Sequence, residues 1–320
     1  MSELDELRSV LKIANLYFKD ELKQQEIAKK LRVSQSYVSR AINRAQKEGF
    51  VKISIIQPPG VHLDLELKIQ RHYDLKQVIV VDTPAESSPA YTKSLVGSAA
   101  AHYLESILRK NDILGISSWS TTISAMVDNM HFARSKVKEV VQLMGGVGNN
   151  GAFQATYLTQ RLANLLNASA HLLPAQSIER SYEAKEKILQ DPEIKEVFDT
   201  FPKIDIALVG IGQLEPSELL QNSGNYFDKE MLQTMVDDGA VGDICLHYFD
   251  KRGKPVIEES HDPVVAISLS QLKDVPHVIG LACGKEKVAA LDGALNGGYC
   301  DVLITDVNTA RSLWEYFYTH

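Results

Sequence analysis

The sequence predicts an α/β chain in two parts: a short N-terminal segment of three helices closed by one strand, and a large domain with a largely parallel sheet. Three observations carry this. Apolar residues recur at helical spacing up to about Lys47, Pro58-Pro59-Gly60 interrupts any regular element, and beyond it apolar strands alternate with helical stretches. With 320 residues the chain is long enough for one small and one well-cored domain, and 44% apolar with 23% charged residues are ordinary globular values.

Leu7, Val10, Leu11, Ala14 and Tyr17 define the first helix, ending at Lys19-Asp20-Glu21. The second fits Gln24 to Leu31, with Ile27, Ala28 and Leu31 inward, and Arg32-Val33 forms a turn before Ser34, a good N-cap. The third runs from Gln35 to about Lys47. It buries Val38, Ala41, Ile42 and Ala45 and leaves Gln35, Ser36, Tyr37, Ser39, Arg40, Asn43 and Arg44 outward. Gly49 stops it, and Phe50 to Ile56 alternates as a strand, the wing of a winged helix-turn-helix.

Spacing and size make this more than three packed helices. Small Ala28 lets two helices cross closely, Val33 plugs the turn, and Val38 and Ile42 anchor a third helix whose N-terminal residues can enter a major groove. The net charge of −7 argues against nucleic acid until it is divided: residues 1–58 hold eleven Lys/Arg against seven Asp/Glu, net +4, and the remainder is net −11. A local positive face is what phosphate contact requires. The expected contacts to double-stranded DNA are Gln25, Ser34, Gln35, Ser36, Tyr37, Ser39, Arg40 and Arg44. Gln35, Ser36 and Tyr37 go to base edges, and Arg40 and Arg44 to phosphate or guanine, since one long side chain serves either. A protein-docking module is the alternative, and it leaves the polar face of the third helix without a role.

In the large domain a helix from about Leu63 to His72 precedes the strand Gln77 to Val81, a helix around Ser94 to Leu108 and the strand Asp112 to Ile116. Further strands fit Val137 to Leu143, Ala170 to Leu173, Ile204 to Val209, Val278 to Ala282 and Val302 to Thr305. Apolar strands separated by helices imply a parallel sheet covered on both faces, with ligands off the strand carboxyl ends. Small-residue loops fall at those ends. Gly115 to Thr122 offers Ser117, Ser118, Ser120, Thr121 and Thr122 at a helix N-terminus suited to phosphate; Gly145 to Gly151 and Gly210 to Gln213, with Gly212, repeat the arrangement. Each loop alone also suits a plain turn; together they can enclose a polyol phosphate. Asp243, amid small residues, can accept sugar hydroxyls, and Lys287 can hold a phosphate; both types also serve as caps or surface charges.

Other classes recede. No apolar run approaches the ~20 residues of a membrane span, and the acidic, amphipathic MSELDELRSV start is unlike a signal peptide, so a cytoplasmic location without membrane partners is expected. Cys245, Cys283 and Cys300 have no CxxC spacing and read as reduced, buried thiols; nine scattered histidines suggest no metal site. Neither GxGxxG after a first strand nor GxxxxGK[ST] occurs, so no nucleotide cofactor is expected.

The whole chain resembles the SorC family of sugar-responsive bacterial transcription regulators, a helix-turn-helix ahead of a Rossmann-like, phosphosugar-isomerase-like effector domain. The stretches that carry the likeness are Leu22 to Arg40, the Ser/Thr loop after Gly115, Leu143 to Gly148, Leu173-Pro174-Ala175, and Ala207 to Gly212. Gly239 to Asp243 with Phe249-Asp250 and Gly253, and Gly298-Tyr299 leading to Leu303 to Asp306, complete the set. The Pro58-Pro59-Gly60 run sets the domains at 1–57 and 58–320, and the resemblance implies a phosphorylated sugar effector and a tetramer on paired operator sites. It places phosphate on Ser117 to Thr122 and Lys287, and hydroxyls near Asp243, with Gly145, Gly146, Gln154 and Gly212 completing the candidate effector set. The chain departs from the family at Gln176, where a second Pro is common, and at Ser118-Trp119-Ser120, where a Trp-Gly pair is common.

Two functions follow: a regulator of a carbohydrate operon, or a sugar-phosphate isomerase with an accessory DNA-binding module. An isomerase needs a base and an acid placed together, and Asp243 with His247 is the nearest pair. In an extended segment they lie about 13 Å apart, too far to act jointly. The regulator is the expected function.

Overall fold

The computed structural model describes residues 3–51, 58–132, 137–147 and 151–319, with the backbone alone at residues 3, 151–154 and 219. The chain divides into two compact units, Met1–Pro58 and Pro59–His320, and the break falls within the Pro58-Pro59-Gly60 run.

The first unit holds α1 (Glu3–Phe18), α2 (Gln24–Leu31) and α3 (Gln35–Lys47). Its core is Val10, Ile13, Ala14 and Leu16 of α1, Ile27 and Ala28 of α2, and Val38, Ala41, Ile42 and Ala45 of α3. Leu11, placed on the apolar stripe of α1 by its sequence, is 43% exposed. The buried stripe runs at i, i+3 and i+4 from Val10, and Leu11 stands about 100° around the helix from it. The expected wing lies outside the described residues from Lys52 to Gln57.

The second unit is built on a seven-stranded, wholly parallel sheet in the order β1-β10-β9-β5-β2-β3-β4. The strands are β1 (Gln77–Val81), β2 (Ile113–Ile116), β3 (Glu139–Gln142), β4 (Ser169–His171) and β5 (Ile206–Gly210). The short β6 (Gly212–Gln213), then β7 (Ala240–Ile244), β8 (His247–Asp250), β9 (His277–Leu281) and β10 (Val302–Asp306) follow. Alternate residues feed two cores. Ala207, Val209 and Leu303 face one, while Ile206, Leu208, Val302 and Ile304 face the other. That is why these strands read as unbroken apolar runs. The first helices of this unit are α4 (Leu63–His72), α5 (Pro89–Ile107), α6 (Thr121–Asn129) and α7 (Gly151–Leu165).

Chain order reverses between β5 and β2: β3 and β4 lie to one side, β9 and β10 to the other. Such a switch point leaves a crevice at the strand carboxyl ends because the following loops diverge.

β6, β7 and β8 form a separate antiparallel sheet. Here the expectation of one extended segment through Asp243 and His247 is corrected, for the chain reverses at Cys245 and Leu246, with φ of 52° and 67°. A two-residue hairpin turn of this hand normally uses Asn-Gly, so Cys-Leu carries no turn signal. The Asp243 carboxylate holds it, accepting the Leu246 N–H at 2.9 Å. Cys245, Cys283 and Cys300 are buried free thiols.

Candidate DNA-contacting face and effector cleft

In the N-terminal unit the turn between α2 and α3 is closed by Arg32, which takes the left-handed conformation at φ 54° and donates its N–H to the carbonyls of Ala28 and Lys29. Val33 N–H also reaches the Ala28 carbonyl at 3.0 Å. Ser34 caps α3, its Oγ accepting the Tyr37 N–H at 3.2 Å, and lies 3.0 Å from Ser36 Oγ. Gln25, Ser34, Gln35, Ser36 and Arg40 are exposed, and Ser39 is half-buried beside them.

Two of the expected DNA contacts are placed differently. Tyr37 is half-buried against the three-helix core and its hydroxyl donates to Ser9 Oγ of α1 at 3.2 Å, so the phenol braces α1 against α3 rather than facing outward. Helical spacing put it on the polar face, but a ring this long folds back along its helix to reach a neighbour. Arg44 is tied down at both ends of its guanidinium, to Glu48 at 2.6 Å and Glu6 at 2.9 Å. These carboxylates hold its pKa above the usual arginine value. Arg40 is the exposed arginine of α3 without such a clamp among the described residues.

In the large unit a cleft of about 200 Å³ opens at the switch point, over the ends of β2 and β5. That is smaller than the ~300–1,000 Å³ of drug-sized sites and suits a small metabolite. Ser117 closes its floor by accepting the Gly210 N–H at 3.2 Å. Ser120 caps α6, accepting the Ile123 N–H at 3.2 Å, so Thr121 and the free N–H groups of the first turn border the cleft. Two lysines also border it. Lys287 is half-buried, with Nζ donating to the Ile211 carbonyl at 2.8 Å, and burial pulls its pKa down against the nearby Cys283 and Asp243. Lys93 comes from the second turn of α5. One turn further on, a Cβ on Gly97 would stand 2.6 Å from the Ala125 backbone carbon of α6. Bare glycine thus lets α5 and α6 meet closely, and that contact sets Lys93 beside the start of α6.

Asp243 also borders the cleft, paired in register with Gly212. A Cβ on Gly212 would come within 1.9 Å of Asp243 Oδ1, so only glycine leaves the carboxylate its place. Burial pushes the Asp243 carboxyl up to about 6; the Leu246 N–H and the charges of Lys287 and His247 pull the other way without prevailing. The cleft therefore offers two ammonium groups and a helix N-terminus together with a carboxylate that accepts hydroxyl protons.

Ser117, Ser120, Thr121, Gly212, Asp243 and Lys287 from the expected effector set border this cleft. Four do not. Ser118 is 1% exposed with its Oγ unpartnered among the described residues, and Thr122 is buried with Oγ1 3.7 Å from Cys283 Sγ. A loop entering a helix turns alternate side chains inward, which spacing alone does not show. Gly145 and Gly146 pack instead of facing ligand. A Cβ on Gly145 would lie 2.3 Å from the Gln176 carbonyl oxygen, and one on Gly146 2.5 Å from Ala155 Cβ. The glycines are needed for backbone approach to 175–176 and α7. The Gln154 side chain and residues 148–150 of that loop lie outside the described residues.

A family model described as "Putative sugar-binding domain" matches residues 57–315, and one for the MarR family matches residues 9–54. The deoxyribonucleoside regulator of Bacillus subtilis (strain 168) is 30% identical over 305 residues, 95% of this chain and 96% of that protein. The full-length sorbitol operon regulator SorC from Klebsiella pneumoniae superposes with a TM-score of 0.72 at 25% identity, covering 96% of this chain and 98% of that one. The chain belongs to the SorC family. The sugar-binding domain of a DeoR transcriptional regulator from Pseudomonas syringae pv. tomato is 48% identical to it, with a TM-score of 0.64 over 79% of this chain and 99% of that one.

This SorC-family protein is therefore a DNA-binding transcriptional regulator with a sugar-binding effector domain, and the isomerase alternative falls with the comparison to regulators over nearly the full length. The sequence reading of the SorC-family cleft missed Lys93, Trp119, Gln213, Glu215 and Glu286, which also border it. Lys93 had a signal: it lies near the start of the helix that follows the carboxyl end of β1, where the rule applied to Gly115–Thr122 holds equally. Glu215 had none, because the chain between β6 and the next helix bears no periodicity. Among the described residues no helix is long and apolar enough to cross a membrane.

Proposed function

We propose that this regulator controls a carbohydrate operon in the cytoplasm and that its effector is a phosphorylated sugar. The observation that carries the reading is the lining of the cleft, where Lys93, Lys287 and the α6 N-terminus meet the carboxylate of Asp243. A phosphate sits against Lys93, Lys287 and the α6 N-terminus, balanced by two ammonium groups and the helix dipole. Sugar hydroxyls donate to Asp243, with Ser117, Ser120, Thr121 and the backbone at Gly212 completing the contacts. At the DNA, Gln25, Ser34, Gln35, Ser36 and Ser39 meet base edges and sugar-phosphate, while Arg40 takes a phosphate or guanine.

The effector acts by differential affinity for two states that present the recognition helices differently. Paired half-sites demand more than one copy of α3, and we assign the working form as a homo-oligomer, a tetramer in keeping with paired operators. Titrating sugar phosphates while following operator binding by fluorescence anisotropy tests the reading. A saturable change in operator affinity with a sugar phosphate, absent with the unphosphorylated sugar, is expected. Response to the free sugar alone overturns the phosphate assignment.

A further inference from the structure

The hairpin that carries Asp243 turns on Cys245 and Leu246, two side-chain-bearing residues in succession at φ of 52° and 67°. L-residues other than glycine avoid this region, so such a turn persists only where its surroundings fix it. On one side the Asp243 carboxylate does so, accepting the Leu246 N–H at 2.9 Å. On the other stands His247, the residue that follows the turn. It is 6% exposed, and its Nδ1 lies 2.5 Å from Oδ2 of the equally buried Asp262. The Val264 N–H donates to Asp262 Oδ1 at 2.9 Å, and the buried Lys185 ammonium donates to the Asp262 carbonyl at 3.0 Å. Burial alone would raise the Asp262 carboxyl, but the bonds from His247 and the Val264 N–H, with the charge of Lys185, outweigh it and hold it below its ordinary value. A charged carboxylate at that position accepts the imidazole proton on Nδ1.

Asp262 begins a segment that runs on to the cleft. The Val265 N–H donates to the Ser177 carbonyl at 2.9 Å, the Gly145 N–H to the Val265 carbonyl at 2.9 Å, and the Ile267 N–H to the Leu143 carbonyl at 2.7 Å. Met144, bridged to Ala266, borders the effector cleft, and so do Asp243, Cys245 and Leu246. One buried side-chain pair therefore joins two parts of the cleft lining that are far apart in sequence, while neither His247 nor Asp262 borders the cleft itself.

We propose that His247 and Asp262 are positioning residues for the effector: their bond ties the hairpin to the segment behind Met144 and so holds the Asp243 carboxylate where a sugar hydroxyl meets it. The role of Asp243 rests on the effector reading; the anchoring of the turn does not. Three variants of the full chain separate the two. His247→Phe removes the donor, Asp262→Ala removes the acceptor without stranding a buried carboxylate, and His247→Asn keeps an N–H that can reach Asp262.

In hydrogen exchange followed by mass spectrometry, the amides of residues 243–248 are expected to exchange about tenfold faster or more in His247→Phe and Asp262→Ala, with β9 and β10 at parental rates. His247→Asn is expected to stay near the parent. A purely structural role would instead speed all three regions together. The sugar phosphate that shifts operator affinity is expected to bind the first two variants about tenfold more weakly, the worth of one hydrogen bond, and His247→Asn as it binds the parent. Inorganic phosphate is expected to bind all four proteins alike, because Lys93, Lys287 and α6 lie outside the hairpin. Unchanged exchange at 243–248, equal acceleration in β9 and β10, a His247→Asn protein that behaves as His247→Phe, or unchanged sugar-phosphate affinity despite a loosened hairpin each overturns the proposal. If His247→Phe does not fold, Asp262→Ala carries the comparison. If no sugar phosphate binds the parent, the effector reading fails and the exchange rates alone decide the anchor.

Discussion

Replacing Asp243 by Asn isolates the free energy that the effector cleft stores in one carboxylate. Burial pushes this carboxyl from 3.8 up to about 6, so the folded chain holds its proton more tightly than the unfolded chain does. A gap of about 2 pH units corresponds to about 3 kcal/mol at ~1.4 kcal/mol per unit. The sign follows: the group's contribution is fully present below about pH 3.8 and is lost as pH rises through about 6, because ionisation then opposes folding. The asparagine side chain cannot ionise, and its oxygen can still accept the Leu246 N–H. The stability of Asp243→Asn relative to the parent should therefore be near zero at about pH 4 and climb to about 3 kcal/mol in favour of the variant above about pH 7. Other carboxylates titrate in both proteins and cancel. Urea unfolding followed by tryptophan fluorescence measures it cleanly, since the chain has 2 tryptophans, Trp119 and Trp314, both in the Pro59–His320 unit. A difference that stays flat across this range, or that favours the parent as pH rises, refutes the reasoning. The same substitution should weaken the sugar effector, so the stability it recovers is what the site gives up for binding.

The remaining expectations concern the lysines of the cleft, the helix contact behind Lys93 and the DNA face. Lys93→Ala and Lys287→Ala should each lower sugar-phosphate affinity by roughly ten- to a hundredfold, the worth of one charge-assisted hydrogen bond, in thermal-shift or calorimetric titration; an unchanged affinity in both removes them from the phosphate site. Gly97→Ala should cost about 1–3 kcal/mol by forcing α5 away from the α6 backbone, seen as a lower melting temperature together with weaker phosphate binding. Arg40→Ala should weaken operator binding and reduce the slope of log affinity against log salt by about 1, whereas Arg44→Ala should change that slope less because Glu6 and Glu48 already neutralise it. Equal slope changes for the two would show that the Arg44 clamp opens on DNA.

The sequence by itself determined what depends on periodicity and local chemistry. The bounds of α2 and α3, the Ser34 cap, the break near Pro58 and the parallel strands follow from side-chain spacing, capping oxygens and proline geometry within a few residues of each element. Half the cleft was visible on the same basis, since ligands gather at strand carboxyl ends and Ser117, Ser120, Thr121, Asp243 and Lys287 all fall there. Only the tertiary structure decided which way those side chains turn. Ser118 and Thr122 go into the core, Tyr37 goes to Ser9, and Gly145 and Gly146 serve backbone packing, because each orientation is set by a neighbour distant in sequence. Lys93 reaches the cleft because Gly97 lets α5 press on α6, a contact between helices that no local pattern encodes. The hairpin carrying Asp243 is the sharpest case: Cys245 and Leu246 have no intrinsic preference for positive φ, and the turn exists because the Asp243 carboxylate and the surrounding core hold it there.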